Sequence, residues 1–196
     1  MTGSRGGPST RRSATAVSRR LSYLLRHAPH SVGLTLDTAG WVDVDELLSA
    51  LARSGATVTR AELDEVVRTS DKQRLAFDDT GTRIRANQGH SVPVDLQLQP
   101  LAPPSMLYHG TVVEALEQIR REGLTSRGRH HVHLSADVAT ARKVGSRRGK
   151  PVVLVVDAAA MAATGTPFYR SANGVWLVGA VPPRHLTRYA GDPDAS

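Results

Sequence analysis

Arginine and histidine recur in short clusters along this chain. Arg26 stands beside His27 in "LLRHAP", Arg74 closes "DKQR", and "RANQGHS" follows. Further on come His109 in "YHGT" and Arg129 at the head of "RHHVHLS". A guanidinium is always charged and offers a planar fork of donors that matches phosphate oxygens. Imidazole is the side chain that exchanges a proton near neutral pH. Gathered on one spot, such groups would grip an anion and move a proton beside it. Each also has an ordinary reading: Arg26 and His27 at a helix C-terminus would oppose the negative end of its dipole. Arg74 could enter a strand in solvent, and Arg129 could be one loop cation among 25 Lys and Arg.

Several other chemistries lack their residues. There is no Gly-x-x-x-x-Gly-Lys-Ser/Thr and no Gly-x-Gly-x-x-Gly, so neither common nucleotide loop is indicated. No pair of carboxylates stands in a context for glycoside or two-metal work. His130, His131 and His133 could suggest zinc, but on a strand only His131 and His133 share a face. No thiolate can complete the set, because the chain has no cysteine, and no metal is expected. The missing cysteine also removes disulfides and suits a cytoplasmic protein.

The formal net charge of +7 favours polyanionic partners through counterion release and long-range steering. The N-terminal "MTGSRGGPSTRRSATAVSRR" has no apolar core, so it reads neither as a signal peptide nor as a membrane span. Residues 1–14 are expected to be a disordered basic tail.

The elements that must position these clusters fall into two halves. From about Thr15 the pattern places Val17, Leu21, Leu24 and Leu25 on one helical stripe, stopped by Pro29 and Gly33. After a turn at Thr38–Gly40, Asp43 caps a helix bearing Val44, Leu47, Leu48 and Leu51. Thr59 and Glu62 form a capping box for a third helix, with Leu63, Val66 and Val67 inward. "RLAFDDTGTRIRA" alternates around an Asp-Asp-Thr-Gly turn and reads as a hairpin. Three helices then a hairpin is the order of a winged helix, here residues 15–91. The proline-rich residues 92–105 read as an extended linker. Residues 106–196 then mix strands with short helices: "MLYHGT", an amphipathic "VVEALEQIRREGL" ended by Gly123, "HVHLS", a helix in "DVATARKVG", "PVVLVVD", and one or two strands in "FYRSANGVWLVGAVPPRHL". The fold class is α+β.

"LSYLLRHAP", "GWVDVDELL", "DKQRL", "RANQGHS", "LYHGT", "RHHVHLS" and "NGVWL" together resemble the RNA 2′-phosphotransferases, the KptA-type enzymes that use NAD. The motifs occur in that family's order and spacing, from about Leu21 to Leu186. The resemblance implies a winged-helix RNA-binding lobe followed by an ADP-ribosyltransferase-like split β-sheet lobe that binds NAD. It carries a catalytic Arg-His-Arg-Arg quartet onto Arg26, His27, Arg74 and Arg129, with Arg129 bridging the ligands of the two lobes. The implied substrate is a tRNA-like RNA bearing an internal 2′-phosphate; a monomer with no membrane association is expected.

In the implied reaction the 2′-phosphate attacks the nicotinamide ribose of NAD, giving a 2′-phospho-ADP-ribosylated RNA. The 2″-hydroxyl then attacks phosphorus, leaving 2′-hydroxyl RNA and ADP-ribose 1″,2″-cyclic phosphate. Three guanidiniums would do there what a metal clamp does elsewhere. The resemblance assigns His109, Gly110, Thr111, His133, Ser135 and Val175 to NAD. Gly110 would let the backbone approach the nicotinamide amide, and Thr111 would bond ribose or adenosine. His133 would replace a stacking aromatic. Val175 stands where protein-modifying relatives often carry a glutamate, which leaves the 2″-hydroxyl free to attack. Asn173 is either a supporting group or a plain Asn-Gly turn. The alternative activity is ADP-ribosylation of terminal phosphates of RNA or DNA.

Overall fold

A computed structural model describes residues 8–70 and 72–192. The chain divides into two compact units, the first ending at Gln97 and the second beginning at Leu98.

In the first unit α1 (Pro8–His27) leads into a 3-10 turn at Pro29–Val32. The helix thus begins ahead of Thr15, and residues 8–14 belong to it instead of to a disordered tail. Proline suits a first helical position, where its missing N–H costs no bond. Residues 1–7 lie outside the described residues. Leu21, Leu24 and Leu25 repeat at i, i+3 and i+4 and are buried to 5 % exposure or less, each contributing about 1.5–3 kcal/mol. Val17 packs against the same cluster.

A short strand β1 (Val42–Asp43) runs directly into α2 (Val44–Arg53), and Asp43 takes the N–H groups of Asp45 and Glu46 on its carboxylate. α3 (Arg60–Thr69) starts with the expected capping box, Thr59 and Glu62 bonding reciprocally. Next come β2 (Leu75–Phe77) and β3 (Arg83–Ala86), paired antiparallel with Phe77 opposite Ile84. β1 pairs on the other edge of β3, giving the order β1-β3-β2. Asp78 ties the hairpin: its carboxylate accepts from the backbone of Thr82 and Arg83, the Thr80 hydroxyl and Arg83 Nε. Partial burial pushes this carboxyl up, but those bonds and the Arg83 charge outweigh it and bring it down to about 2. Leu47, Leu51, Leu63, Leu75 and Ile84 complete the core with the α1 leucines.

Residues 92–105 form neither helix nor strand, yet both halves are pinned. Asp95 N–H donates to Thr38 O at 2.7 Å within the first unit, and Leu101 N–H to Phe168 O at 2.8 Å within the second.

The second unit is built of antiparallel pairs. β4 (Met106–Val112) is followed by a 3-10 turn at Val113–Ala115, α4 (Leu116–Glu122) and β5 (Leu124–Thr125). Then come β6 (Val132–Leu134), α5 (Val138–Gly145) capped by Asp137, β7 (Pro151–Asp157) and α6 (Ala158–Ala163). β8 (Phe168–Arg170), β9 (Trp176–Val178), β10 (Ala180–Val181) and β11 (Leu186–Arg188) close the unit. Three of these, β8, β9 and β10, lie within the stretch where the sequence pattern suggests one or two. The sheets run β11-β7-β4 and β6-β9-β8, with β10 on β5. The two three-stranded sheets are joined where Tyr108 and Ser135 exchange backbone bonds of 2.9 and 2.8 Å. Leu107, Leu134, Val156, Phe168 and Val178 lie at the centre of this unit's core.

Candidate active site

In the first unit the end of α1 is wrapped by the loop that follows β3. The carbonyl of Arg26, left without a helical partner, accepts the N–H of Ser91 at 2.9 Å and of Val92 at 3.3 Å. The same loop sets the imidazole beside it, with His27 Nδ1 and Ser91 Oγ 2.9 Å apart. Arg74 is tied to the same helix end through its backbone. Its carbonyl accepts from Asn87 N–H at 3.0 Å and from Arg26 Nη2 at 3.4 Å. Asn87 is buried and donates its amide to Gln73 O at 2.6 Å, which holds the turn before β2.

The Arg26 side chain thus meets the Arg74 backbone at the helix end where Ser91 holds His27, although 46 residues of chain lie between His27 and Arg74. Arg26, His27 and Arg74 are half-buried. Ser91 and Asn87 were not among the candidates, and only their place in the quoted "RANQGHS" marked them. Their roles depend on that loop meeting the helix end, which no local pattern expresses.

In the second unit the candidates gather where the two sheets join. His109 Nδ1 lies 3.1 Å from the His133 carbonyl. A carbonyl can only accept, so Nδ1 carries the proton and the neutral ring presents its Nε2 lone pair. Burial pushes the His109 pKa below 6.5, the bond to His133 opposes it, and the charge of Arg148 lowers it further. The ring is thus held as a hydrogen-bond acceptor at Nε2. Ser135 makes the sheet-joining bridge next to it. Leu134 pairs with Trp176, so the next positions in that register are Ser135 and Val175.

Gly110 has a structural reason of its own. A Cβ there would lie 1.8 Å from Ala141 O and 2.8 Å from Gly145 N, so the space is filled by the backbone of α5. Gly145 is reciprocal: its Cβ would meet Thr111 O at 2.7 Å. The glycine thus seats α5 against β4, and with it the strand carrying His109 and Thr111. Asn173 sits in a tight turn in which Ser171 N–H donates to Val175 O at 2.9 Å and the Ser171 hydroxyl to Asn173 Oδ1 at 2.7 Å. That is the Asn-Gly turn, with Gly174 at φ +80°.

Arg129 is exposed on the turn between β5 and β6, its N–H bonded to Ser126 O at 3.1 Å. His131 packs edge-on against Tyr169, centroids 5.6 Å apart, and burial with the neighbouring His130 lowers its pKa. Among the described residues no group of three His, Cys, Asp or Glu could hold a metal ion. No described helix is long and apolar enough to cross a membrane.

The chain is similar to proteins named probable RNA 2′-phosphotransferase in several bacteria. It is 55 % identical over 172 residues to that of Nostoc punctiforme, spanning 88 % of this chain and 95 % of the relative. Against that of Streptomyces griseus the identity is 56 % over 182 residues, spanning 89 % and 96 %. For Streptomyces coelicolor it is 57 % over 170 residues, spanning 87 % and 92 %. A family profile described as RNA 2′-phosphotransferase, Tpt1 / KptA family, matches residues 12–180, a span that includes the clusters of both units. The chain belongs to the Tpt1 / KptA family of RNA 2′-phosphotransferases.

Proposed function

We propose that this protein removes an internal 2′-phosphate from RNA by transferring it to NAD. The family match carries the proposal, and it is supported by the Arg26 side chain reaching the Arg74 carbonyl while Ser91 holds His27 at the wrapped end of α1. Three helices followed by the β2–β3 hairpin support a winged-helix RNA-binding lobe. The two sheets joined at Tyr108 and Ser135 support an ADP-ribosyltransferase-like lobe.

A phosphate is already anionic near pH 7, so the first step needs orientation more than a base. One 2′-phosphate oxygen forms a bond to C1″ of the nicotinamide ribose, and the C1″–N bond breaks with its electron pair leaving on nicotinamide. Arg26 and Arg74 hold the phosphate for that attack. His109 Nε2 and Ser135 bond the ribose side, while Val175 offers no carboxylate to occupy the 2″-hydroxyl. In the second step the 2″-oxygen bonds to phosphorus and the bond from phosphorus to the RNA 2′-oxygen breaks. The proton lost from the 2″-hydroxyl ends on that 2′-oxygen, and His27 carries it. Arg74 and Arg129 balance the charge that builds on phosphorus. The products are 2′-hydroxyl RNA and ADP-ribose 1″,2″-cyclic phosphate.

The test is to incubate the protein with NAD and a 2′-phosphorylated oligonucleotide, with no metal added. A 2′-hydroxyl product and the cyclic phosphate are expected. A 2′-phosphate that persists beside folded protein and NAD refutes the proposal. A parallel reaction on a 5′-phosphorylated strand checks the terminal-phosphate activity, which would appear as a lasting ADP-ribosylated end.

A further inference from the structure

Tyr23 is 60 % exposed, and it is the aromatic among the large apolar side chains the described residues leave in solvent; Leu101, Met106, Val113 and Val144 are aliphatic. The core does not use it, because α1 turns Leu21, Leu24 and Leu25 inward on its other side. Its ring stands 5.7 Å from the His27 ring, tilted by 50°. One turn earlier on the same stripe is Arg19, exposed and in no ion pair among the described residues. A guanidinium, an open aromatic face and an imidazole thus follow one another at i, i+4 and i+8, about 6 Å apart along the axis. His27 closes the stripe, and it is the residue assigned to proton transfer at the 2′-phosphate.

We propose that the Arg19–Tyr23–His27 stripe is the docking track for single-stranded RNA flanking the phosphorylated nucleotide. Tyr23 stacks the neighbouring base, and Arg19 pairs with the backbone phosphate beyond it. An aromatic face takes any base, so the contact selects an unpaired strand and not a sequence. A base held in a duplex already has both faces covered and cannot reach the ring. The inference rests on the RNA 2′-phosphotransferase function proposed above, and it adds which RNA geometry that function accepts.

The test is a steady-state cycle with NAD saturating and two 2′-phosphorylated oligonucleotides, one intact and one with an abasic residue beside the phosphorylated nucleotide. For the wild-type protein the abasic substrate should have a KM about tenfold higher, within the range for one base–aromatic stack. Tyr23→Ala should show that higher KM on both substrates, with KM for NAD and the melting temperature unchanged. Tyr23→Phe should restore the difference and Tyr23→Leu should not. Arg19→Ala should lower the slope of log KM against log salt by about one, as the loss of one phosphate contact requires. The inference is overturned if Tyr23→Ala still distinguishes the two substrates, or if leucine serves as well as phenylalanine. A wild-type protein inactive on both substrates overturns the proposed function itself. An active one indifferent to Tyr23 overturns only the docking track.

Discussion

Replacing Gly110 with alanine separates two reasons for a glycine at that position. If it is there to seat α5, the new methyl group meets Ala141 O at 1.8 Å, against about 3.4 Å for ordinary contact. The strand or the helix must then shift by about 1.6 Å, and because both partners are backbone, no rotamer change relieves the clash. Overpacking of this kind costs about 1–3 kcal/mol, with the upper end expected here. At roughly 4–8 °C per kcal/mol for a domain of this size, melting of the second unit should fall by ~10 °C or more. The assay is thermal and urea denaturation followed by circular dichroism, with Gly179→Ala, where nothing lies within 4 Å, as the control. Gly145→Ala should act in the same direction, and the double variant should lose less than the sum because both strain one interface. If the glycine instead serves only close approach of NAD, Gly110→Ala keeps its melting temperature and raises KM for NAD. A wild-type melting curve for Gly110→Ala refutes the packing explanation.

Asp78 titrates at about 2 in the folded protein against 3.8 as a free side chain. Its contribution is therefore complete above pH 3.8 and is lost as the pH falls toward 2. Asp78→Asn should flatten the acid side of the stability profile, and an unchanged profile between pH 2 and 6 would remove the hairpin role. His109 likewise favours its deprotonated form in the folded protein, its pKa there lying below 6.5. The unfolded chain takes up that proton first, so the protein should lose stability as pH drops below 6.5, and His109→Gln should remove part of that slope. Proton titration by NMR gives an independent check, since a His109 resonance titrating at or above 6.5 contradicts the burial argument. Replacing Arg74 or Arg129 with alanine should slow the second step more than the first, so the 2′-phospho-ADP-ribosylated RNA accumulates in single-turnover gels. Unchanged turnover with no accumulation excludes the charge-balancing role.

What the sequence made legible followed the range of the forces involved. The α1 stripe, the Asp43 cap and the Thr59–Glu62 box act within one or two helical turns, so spacing alone places them. The β2–β3 hairpin is equally local, because Asp78 reaches only as far as Arg83. β5 and β10 are different. Each is two residues long, and Thr125 meets Ala180 across 54 intervening residues, so nothing periodic near either one announces a strand. The candidate site divides the same way. That Arg26 and His27 are neighbours is visible in the chain, but that Arg74 joins them depends on the loop after β3 closing over the end of α1. The motif resemblance names these residues together but carries no physical cause, whereas the loop closes because a helix carbonyl needs a donor and finds Ser91. Gly110 shows the limit of borrowed roles most clearly. The resemblance assigned it to a ligand, whereas the structure adds a neighbour, α5, whose backbone claims the same space. A glycine can serve both only if the ligand approaches the edge or opposite face of β4. The side taken by Ala141 and Gly145 is closed to any ligand while α5 stays packed.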